Sequence, residues 1–184
     1  MTIEDRHWLP NRGATLVGYV ERGTAQVGDL VQVLAGPEPL TLPVTDIERP
    51  DAARVIAQPG DLVAMLLDGL TREQFDDLLV GGIIAQANSI DLHTRFQADV
   101  TVLPASEGGR TGGLAVNMES LSVHVYGLRR MCQQITFASD SGVISPGEQT
   151  RIMFIIEPAP LEVGTAFMLR EGARWIARGI VTAL

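Results

Sequence analysis

The sequence predicts an all-β protein made of two small closed barrels. Short apolar or alternating runs, each about as long as an ordinary strand, recur along the whole chain. Nineteen glycines and ten prolines separate these runs and supply the turns between them. Roughly ten short strands fit two small barrels better than one sandwich.

The predicted strands form one series in each half of the chain. Those of the first half are Ala14–Val20, Leu30–Leu34, Leu40–Ile47, Leu62–Leu67 and Ile83–Ala87. Those of the second half are Phe96–Leu103, Val116–Tyr126, Gln134–Ala138, Arg151–Ile156, Ala166–Leu169 and Trp175–Val181. Apolar and polar residues alternate from Leu121 to Tyr126, which predicts that Ser122 and His124 face solvent.

One segment departs from the strand pattern. Thr71 is followed three residues later by Gln74, a capping-box spacing that predicts one or two helical turns over Thr71–Asp77. Acid-rich sequence gives way to near-neutral sequence near Asn88–His93, which predicts two domains, residues 1–89 and 90–184. Glycine and proline are sparse at this boundary, so we expect the barrels to pack on each other rather than tumble freely.

Composition and charge limit the partners. A formal net charge of −8 argues against a broad electrostatic footprint for nucleic acid or an anionic membrane, and neither DNA nor a membrane is an expected partner. Residues 1–90 contain 6 Arg and 13 acidic residues, whereas residues 91–184 contain 8 Arg and 9 acidic residues, so the second half is the better candidate for phosphate contact. No targeting run and no apolar run of about 20 residues is visible, and we therefore expect a soluble cytoplasmic protein.

The residue inventory argues against catalysis. The chain has no lysine, which excludes a phosphate-binding loop ending in Gly-Lys-Ser/Thr and a Schiff-base lysine. The three histidines share no metal-ligand spacing, and the single cysteine excludes an intrachain disulfide. We expect Cys132 to be a small buried residue, although Arg129 and Arg130 beside it can lower its pKa. No catalytic, metal or cofactor site is predicted.

Turn and loop motifs follow one another in a fixed order along nearly the whole chain. In the first half they are Ile3-Glu4-Asp5, Leu9-Pro10-Asn11-Arg12-Gly13, Gly18-Tyr19-Val20-Glu21-Arg22-Gly23 and Val27-Gly28-Asp29. In the second half they are Glu107-Gly108-Gly109-Arg110, Leu161-Glu162-Val163-Gly164 and Phe167-Met168-Leu169-Arg170-Glu171-Gly172. This series resembles domains 2 and 3 of the elongation factor Tu family. Most of these motifs are turns, so the resemblance speaks more for fold than for function.

The resemblance implies a set of candidate binding residues. In that family the two barrels help to hold aminoacyl-tRNA, with domain 2 at the aminoacyl end and domain 3 on the T-stem backbone. Glu48 aligns with a family glutamate near the terminal adenosine. The residues that align with the T-stem-contacting loops are Arg110, Glu171, Gly172 and Arg174. These five residues are therefore candidates for contact with RNA or another partner.

Other family positions have changed. Leu62 stands in place of an asparagine and cannot donate or accept a side-chain hydrogen bond at a ribose or aminoacyl group. Tyr19 replaces an arginine, and Glu157 replaces a lysine, so that an anion stands where the family places a cation near phosphate. The motifs that carry the resemblance belong to domains 2 and 3, and none of them matches the family's GTPase domain.

Two functions remain open at this point. The first is a non-catalytic binding module derived from elongation factor Tu, without GTPase activity, that recognises a protein partner or retains weak RNA contact. The alternative is a tRNA or aminoacyl-tRNA binding protein; an enzyme and a fragment of a longer factor are further interpretations. The arginines of the second half fit solvated surface charge, an RNA-facing patch or a protein interface, and they include Arg110, Arg129, Arg130, Arg170, Arg174 and Arg178.

Overall fold

The strands of this chain close into two barrels. A computed structural model describes residues 1–36, 38–49, 56–115, 121–137 and 142–184, and within them each barrel has six antiparallel strands. The all-β prediction is confirmed. The chain divides into two compact units, Met1–Ile90 with Tyr126–Leu128, and Asp91–Val125 with Arg129–Leu184.

The first unit contains a barrel with the strand order β1-β2-β5-β4-β3-β6. Its elements are β1 Thr2–Leu9, β2 Gly13–Tyr19, β3 Leu30–Leu34, β4 Leu40–Glu48, β5 Leu62–Leu67, helix α1 Arg72–Asp77 and β6 Ile83–Gln86. Alternate residues of these strands fill the interior, where Ile3, Leu16, Val33 and Met65 are almost fully buried. This burial of apolar side chains is the main force that stabilises the barrel.

Helix α1 forms as the capping-box spacing predicts. The Gln74 amide donates to Thr71 Oγ1 at 3.2 Å, and the Thr71 amide donates to Gln74 Oε1 at 3.0 Å. Phe75 packs edge-on against Trp8 of β1, with ring centroids 5.4 Å apart, and its carbonyl accepts a hydrogen bond from Arg6. The helix is therefore held to the first barrel by its one buried side chain and by its backbone.

The second unit contains a barrel with the strand order β10-β12-β7-β14-β13-β9 and a separate two-stranded sheet of β11 and β8. Its elements are β7 Leu92–Val102, a 3₁₀ turn Ala105–Glu107, β8 Leu114–Ala115, β9 Leu121–Val125, β10 Leu128–Thr136, β11 Val143–Ile144, β12 Gln149–Pro160, β13 Ala166–Glu171 and β14 Arg174–Ala183. No helix of the described residues is long and apolar enough to cross a membrane.

Three phenylalanines form the centre of the second barrel. Phe96 stacks on Phe154 with ring centroids 4.8 Å apart, and Phe167 meets the two rings edge-on at 5.4 and 5.6 Å. Gly179 lies opposite Phe167 in the β13–β14 register, and a Cβ atom at this position would fall 2.4 Å from Phe167 Cζ. The third ring therefore fits only because position 179 has no side chain.

Several strands differ from the sequence prediction, β1 and β12 among them. β1 was not predicted, because only Ile3 of its eight residues is buried, and its place depends on backbone pairing with β2 and β6. β12 continues past the predicted end at Ile156 to Pro160, with a register irregularity between Ile155 and Ala159. An irregular register at this point suits proline, which has no N–H to donate to a ladder.

The alternation near Leu121 was only half correct. β9 covers Leu121–Val125, and the rest of the predicted strand at residues 116–120 lies outside the described residues, as does Ala138. Ser122, predicted to face solvent, is buried, and its hydroxyl contacts the carbonyl of Arg170 on β13. Ser122 lies opposite Arg170 in the β9–β13 register, beside a long side chain that a period-2 pattern does not reveal.

Candidate functional site

The turn between β13 and β14 carries three of the candidate residues. Glu171 and Arg174 face each other across the hairpin, and Gly172 and Ala173 form the two-residue loop between them. Gly172 has a φ of +55°, the left-handed region that the first position of a type II′ turn requires. The loop sequence thus fixes Glu171 and Arg174 side by side at one end of the barrel.

Arg110 reaches the same turn from another loop. It follows the 3₁₀ turn, and its amide donates to the carbonyl of Leu103 at 3.1 Å. Its Nη1 lies 3.0 Å from Glu171 Oε2, and the Arg110 side chain is only 23% exposed. The structure therefore brings together Arg110, Glu171, Gly172 and Arg174, and we call these four residues the loop cluster.

The loop cluster has a small net positive charge. Glu171 neutralises Arg110, whereas Arg174 is exposed and forms no ion pair with another described residue. A phosphate that approached this end of the barrel would meet one open cation and one cation already engaged by a carboxylate. This arrangement suits contact with a single phosphate of a nucleic-acid backbone rather than binding over a broad phosphate-contacting surface.

Glu48 lies in the first unit and does not join the loop cluster. It ends β4, and its Oε1 lies 2.6 Å from Arg12 Nη1, in the turn between β1 and β2. The same guanidinium lies 2.9 Å from Asp46 Oδ2. Both carboxylates are exposed and share one cation, so Glu48 is engaged in an ion pair with its own barrel.

The two changed positions of the first unit are neighbours. Tyr19 of β2 and Leu62 of β5 are cross-strand partners, and their side chains are 50% and 36% exposed. Directly opposed side chains on one sheet face lie about 5 Å apart and contact each other. Tyr19 and Leu62 therefore form one exposed apolar pair, a relation that their distance in sequence did not reveal.

Glu157 ties two strands of the second barrel together. Its Oε2 accepts a hydrogen bond from the Met131 amide at 2.8 Å, and Arg130 Nε donates to the neighbouring Pro158 carbonyl at 2.7 Å. Burial lowers the pKa of the Arg130 guanidinium, and the Glu157 carboxylate acts in the opposite direction. The reversed charge at position 157 thus has a structural partner on its own barrel.

The arginines of the second unit are not uniformly solvated. Arg129, Arg174 and Arg178 are exposed, as expected of surface charge. Arg170 is half-buried, with its guanidinium carbon 5.3 Å from the centre of the Trp175 ring. Like Arg110 and Arg130, it packs on or bonds to other parts of its own unit, so three of these six arginines have a structural role.

Two titratable residues differ from their predicted environments. His124 packs edge-on against Trp175 at 4.8 Å, and burial, followed by the charges of Arg170 and Arg129, lowers its pKa. Cys132 is half-buried rather than fully buried, and burial raises its pKa to about 11. The neighbouring arginines therefore do not activate the thiol. Among the described residues no group of three or more His, Cys, Asp or Glu side chains is arranged to hold a metal ion.

Sequence reasoning missed a groove on the outer face of the second barrel. It has a volume of about 620 Å³ and lies over β7, β13 and β14, with β9 and β12 at its sides. Its lining residues include Asp99, His124, Met168, Arg178 and Ile180. The outward positions of β14 alternate in the sequence, but only the register shows which side chains of the other strands join them. We call this feature the β14 groove.

The second half of the chain matches a known protein family. Residues 89–184, just over half of the chain, match the model of the elongation factor Tu C-terminal domain. The matched segment contains the whole of the second barrel, the loop cluster and the β14 groove.

Proposed function

The chain belongs to the elongation factor Tu family, and from this premise we propose that it is a non-catalytic binding module of that family, whose principal partner is a protein. Residues 1–89 would act as the counterpart of the family's domain 2 and residues 90–184 as that of domain 3. The observation that carries the proposal is the exposed apolar pair of Tyr19 and Leu62.

The chemistry of this pair favours an apolar partner. The resemblance places Tyr19 and Leu62 at positions that are polar or charged in the family. Leucine leaves a ribose hydroxyl or an aminoacyl amine without a partner, which costs about 1–3 kcal/mol when the group is buried. The same two side chains offer an aromatic ring and an aliphatic group to a protein, and tyrosine is enriched in protein interfaces.

The absence of lysine supports a non-catalytic role for this chain. A phosphate-binding loop that ends in Gly-Lys-Ser/Thr is not present in its 184 residues. Cys132 has a raised pKa, which is the opposite of what a nucleophilic thiol requires. The described histidines are not arranged with carboxylates as a metal site.

The loop cluster supports a second candidate function, weak contact with a tRNA backbone. Arg174 is its open cation, and Arg110 is the cation that the resemblance aligns with a T-stem contact. One or two phosphate contacts supply little affinity at physiological salt. We therefore propose that any tRNA binding is weak and independent of the amino acid.

Capture from native lysate, with analysis of both protein and RNA, tests the principal proposal. The immobilised variants are wild type, the double variant Tyr19→Arg/Leu62→Asn, and Val27→Asn as a control at another exposed apolar position of the same unit. We expect a protein that binds wild type and Val27→Asn and is lost with the double variant. Capture of tRNA by all three, without a protein that depends on Tyr19 and Leu62, would establish the second candidate instead.

A further inference from the structure

We propose that the β14 groove binds an extended protein segment that combines aliphatic and acidic side chains. The inference rests on the proposed function only in that the partner is a protein. It does not depend on Tyr19 and Leu62, because the groove lies in the second unit, away from them in sequence. It names a second binding surface and the chemistry of its occupant.

The floor of the groove is apolar. Ile180 is 51% exposed and lies between Ala166 of β13 and Asp99 of β7 in the sheet register. Met168 is half-buried and follows Ala166 by two residues on β13, where Arg178 is its cross-strand partner. Aliphatic side chains placed on this floor would remove Ile180 and Met168 from water, which is the main source of affinity in such a cleft.

The charges of the groove favour an acidic occupant. Asp99 is paired with Arg151, whose Nε lies 3.0 Å from its Oδ1. Arg178 is exposed, lines the groove, and forms no ion pair with any other described residue. The cross-strand neighbours of Arg178 are Met168 and Thr101, which are both uncharged. The unbalanced charge of the groove is therefore positive, although the whole chain carries −8.

The surroundings of Trp175 favour a peptide over single-stranded nucleic acid. Nucleic acid needs open aromatic faces for base stacking and a row of cations along its backbone. Here the Arg170 guanidinium lies over the Trp175 ring, and His124 meets that ring edge-on. One unpaired arginine on an aliphatic floor does not form a phosphate track, whereas it suits one carboxylate between apolar side chains.

Closure of the barrel determines how the segment binds. Within the described residues all six strands of this barrel have hydrogen-bonded neighbours, so the barrel itself has no free edge to accept an added strand. The occupant must therefore bind through its side chains. Neighbouring strands lie about 4.8 Å apart, and an extended chain advances about 3.3 Å per residue. A segment that crosses all three strands of the groove therefore has roughly four to five residues.

Fluorescence anisotropy with defined peptides tests the inference. The probe has the core Glu-Leu-Glu-Leu-Glu between Gly-Ser flanks; the comparison probes replace Glu with Lys, or Leu with Ser, and a fourth probe is an oligouridine of similar length. Wild type, Arg178→Glu, Ile180→Ser and the control Arg95→Glu are titrated after circular dichroism has shown that each is folded. Arg95 is exposed on β7 and does not line the groove.

We expect the Glu-Leu probe to bind wild type, with a loss of about tenfold or more in affinity for Arg178→Glu and for Ile180→Ser. Arg95→Glu, with the same charge change, should differ from wild type by less than about twofold. Equal binding of the Lys probe, tighter binding of oligouridine, or no binding of the Glu-Leu probe below about 1 mM would overturn the inference. The double variant Tyr19→Arg/Leu62→Asn should bind the probe like wild type, so failure of the proposed function and failure of this inference give different results.

Discussion

Cys132 shows how a local environment overrides a local sequence. Two arginines precede it closely in the chain, yet its Sγ lies among backbone carbonyls, 3.5 Å from that of Gln134 and 3.8 Å from that of Ile155. Burial, the larger effect, raises its pKa to about 11. A thiol in this state is almost entirely protonated at neutral pH and is a poor nucleophile.

We therefore expect Cys132 to react slowly with a disulfide reagent such as DTNB. At pH 7.5 the folded protein should react far more slowly than the same chain in denaturant, because the unfolded thiol has an ordinary pKa and is open to the reagent. Stopped-flow absorbance measures both rates. Equal rates in the two states would show that the folded protein neither shields the thiol nor raises its pKa.

His124 makes the stability of the second unit depend on pH. Burial, then the charges of Arg170 and Arg129, lower its pKa in the folded state below the ordinary histidine value of about 6.5. Ser122 Oγ lies 3.1 Å from its Nε2. The unfolded chain therefore takes up this proton at a higher pH than the folded protein does. It follows that the free energy of unfolding falls as the pH drops below about 6.5.

We expect the variant His124→Gln to lose less stability than wild type between pH 7.5 and pH 5.5. Urea unfolding at the two pH values gives the difference for each protein, and the other titratable groups are common to both. His7→Gln is the control, since His7 is exposed and lies beside Asp5 in the first unit. A wild-type loss equal to that of His124→Gln would contradict the assigned environment.

At the scale of elements, helix α1 depends on its first residue. Thr71 and Gln74 satisfy one another's backbone amides, and loss of a Thr N-cap costs about 1 kcal/mol in other helices. We expect Thr71→Ala to lower the free energy of unfolding by about this amount. Thr71→Ser should lower it much less, because serine is also a good N-cap residue. Chemical denaturation of both variants provides the measurement.

The control for this prediction is Thr24→Ala, at an exposed loop position of the same unit. It should change the free energy of unfolding by less than about 0.5 kcal/mol. If Thr71→Ala changed the free energy of unfolding as little as Thr24→Ala does, the cap would contribute nothing measurable to the stability of the first barrel.

The elements also show how far the sequence determines the fold. Leu30–Leu34 and Leu62–Leu67 were predicted with their observed ends, because apolar residues and flanking glycines mark both strands. β1 escaped prediction because backbone pairing, not apolar alternation, holds it in place. The two-residue strands β8 and β11 are too short to leave any periodic signal.

The candidate site was predictable only in part. The motifs identified the loop residues, but their mutual contacts depend on turns that are far apart in sequence, such as the ion pair of Arg110 and Glu171. The Tyr19–Leu62 pair and the β14 groove depend on sheet register, which a single strand does not encode.

Taken over the whole molecule, these features support the proposal of a protein partner. Glu48 and Arg110, which only the resemblance marks as candidates for RNA contact, are engaged in ion pairs within their own units. Tyr19 and Leu62, where the resemblance implies polar or charged family residues, form an exposed apolar pair in the first unit, and Glu157 is an anion in the second. We therefore propose that this chain does not hold aminoacyl-tRNA tightly.

The measurement that tests this claim most directly is a filter-binding titration of aminoacylated and deacylated tRNA at about 50 and 200 mM salt. We predict weak binding of both forms alike at the lower salt, reduced by Arg174→Ala but not by Arg72→Ala on the exposed face of α1, and nearly absent at the higher salt. Nanomolar affinity at the higher salt with a clear preference for the aminoacylated form would show that the chain does hold aminoacyl-tRNA tightly.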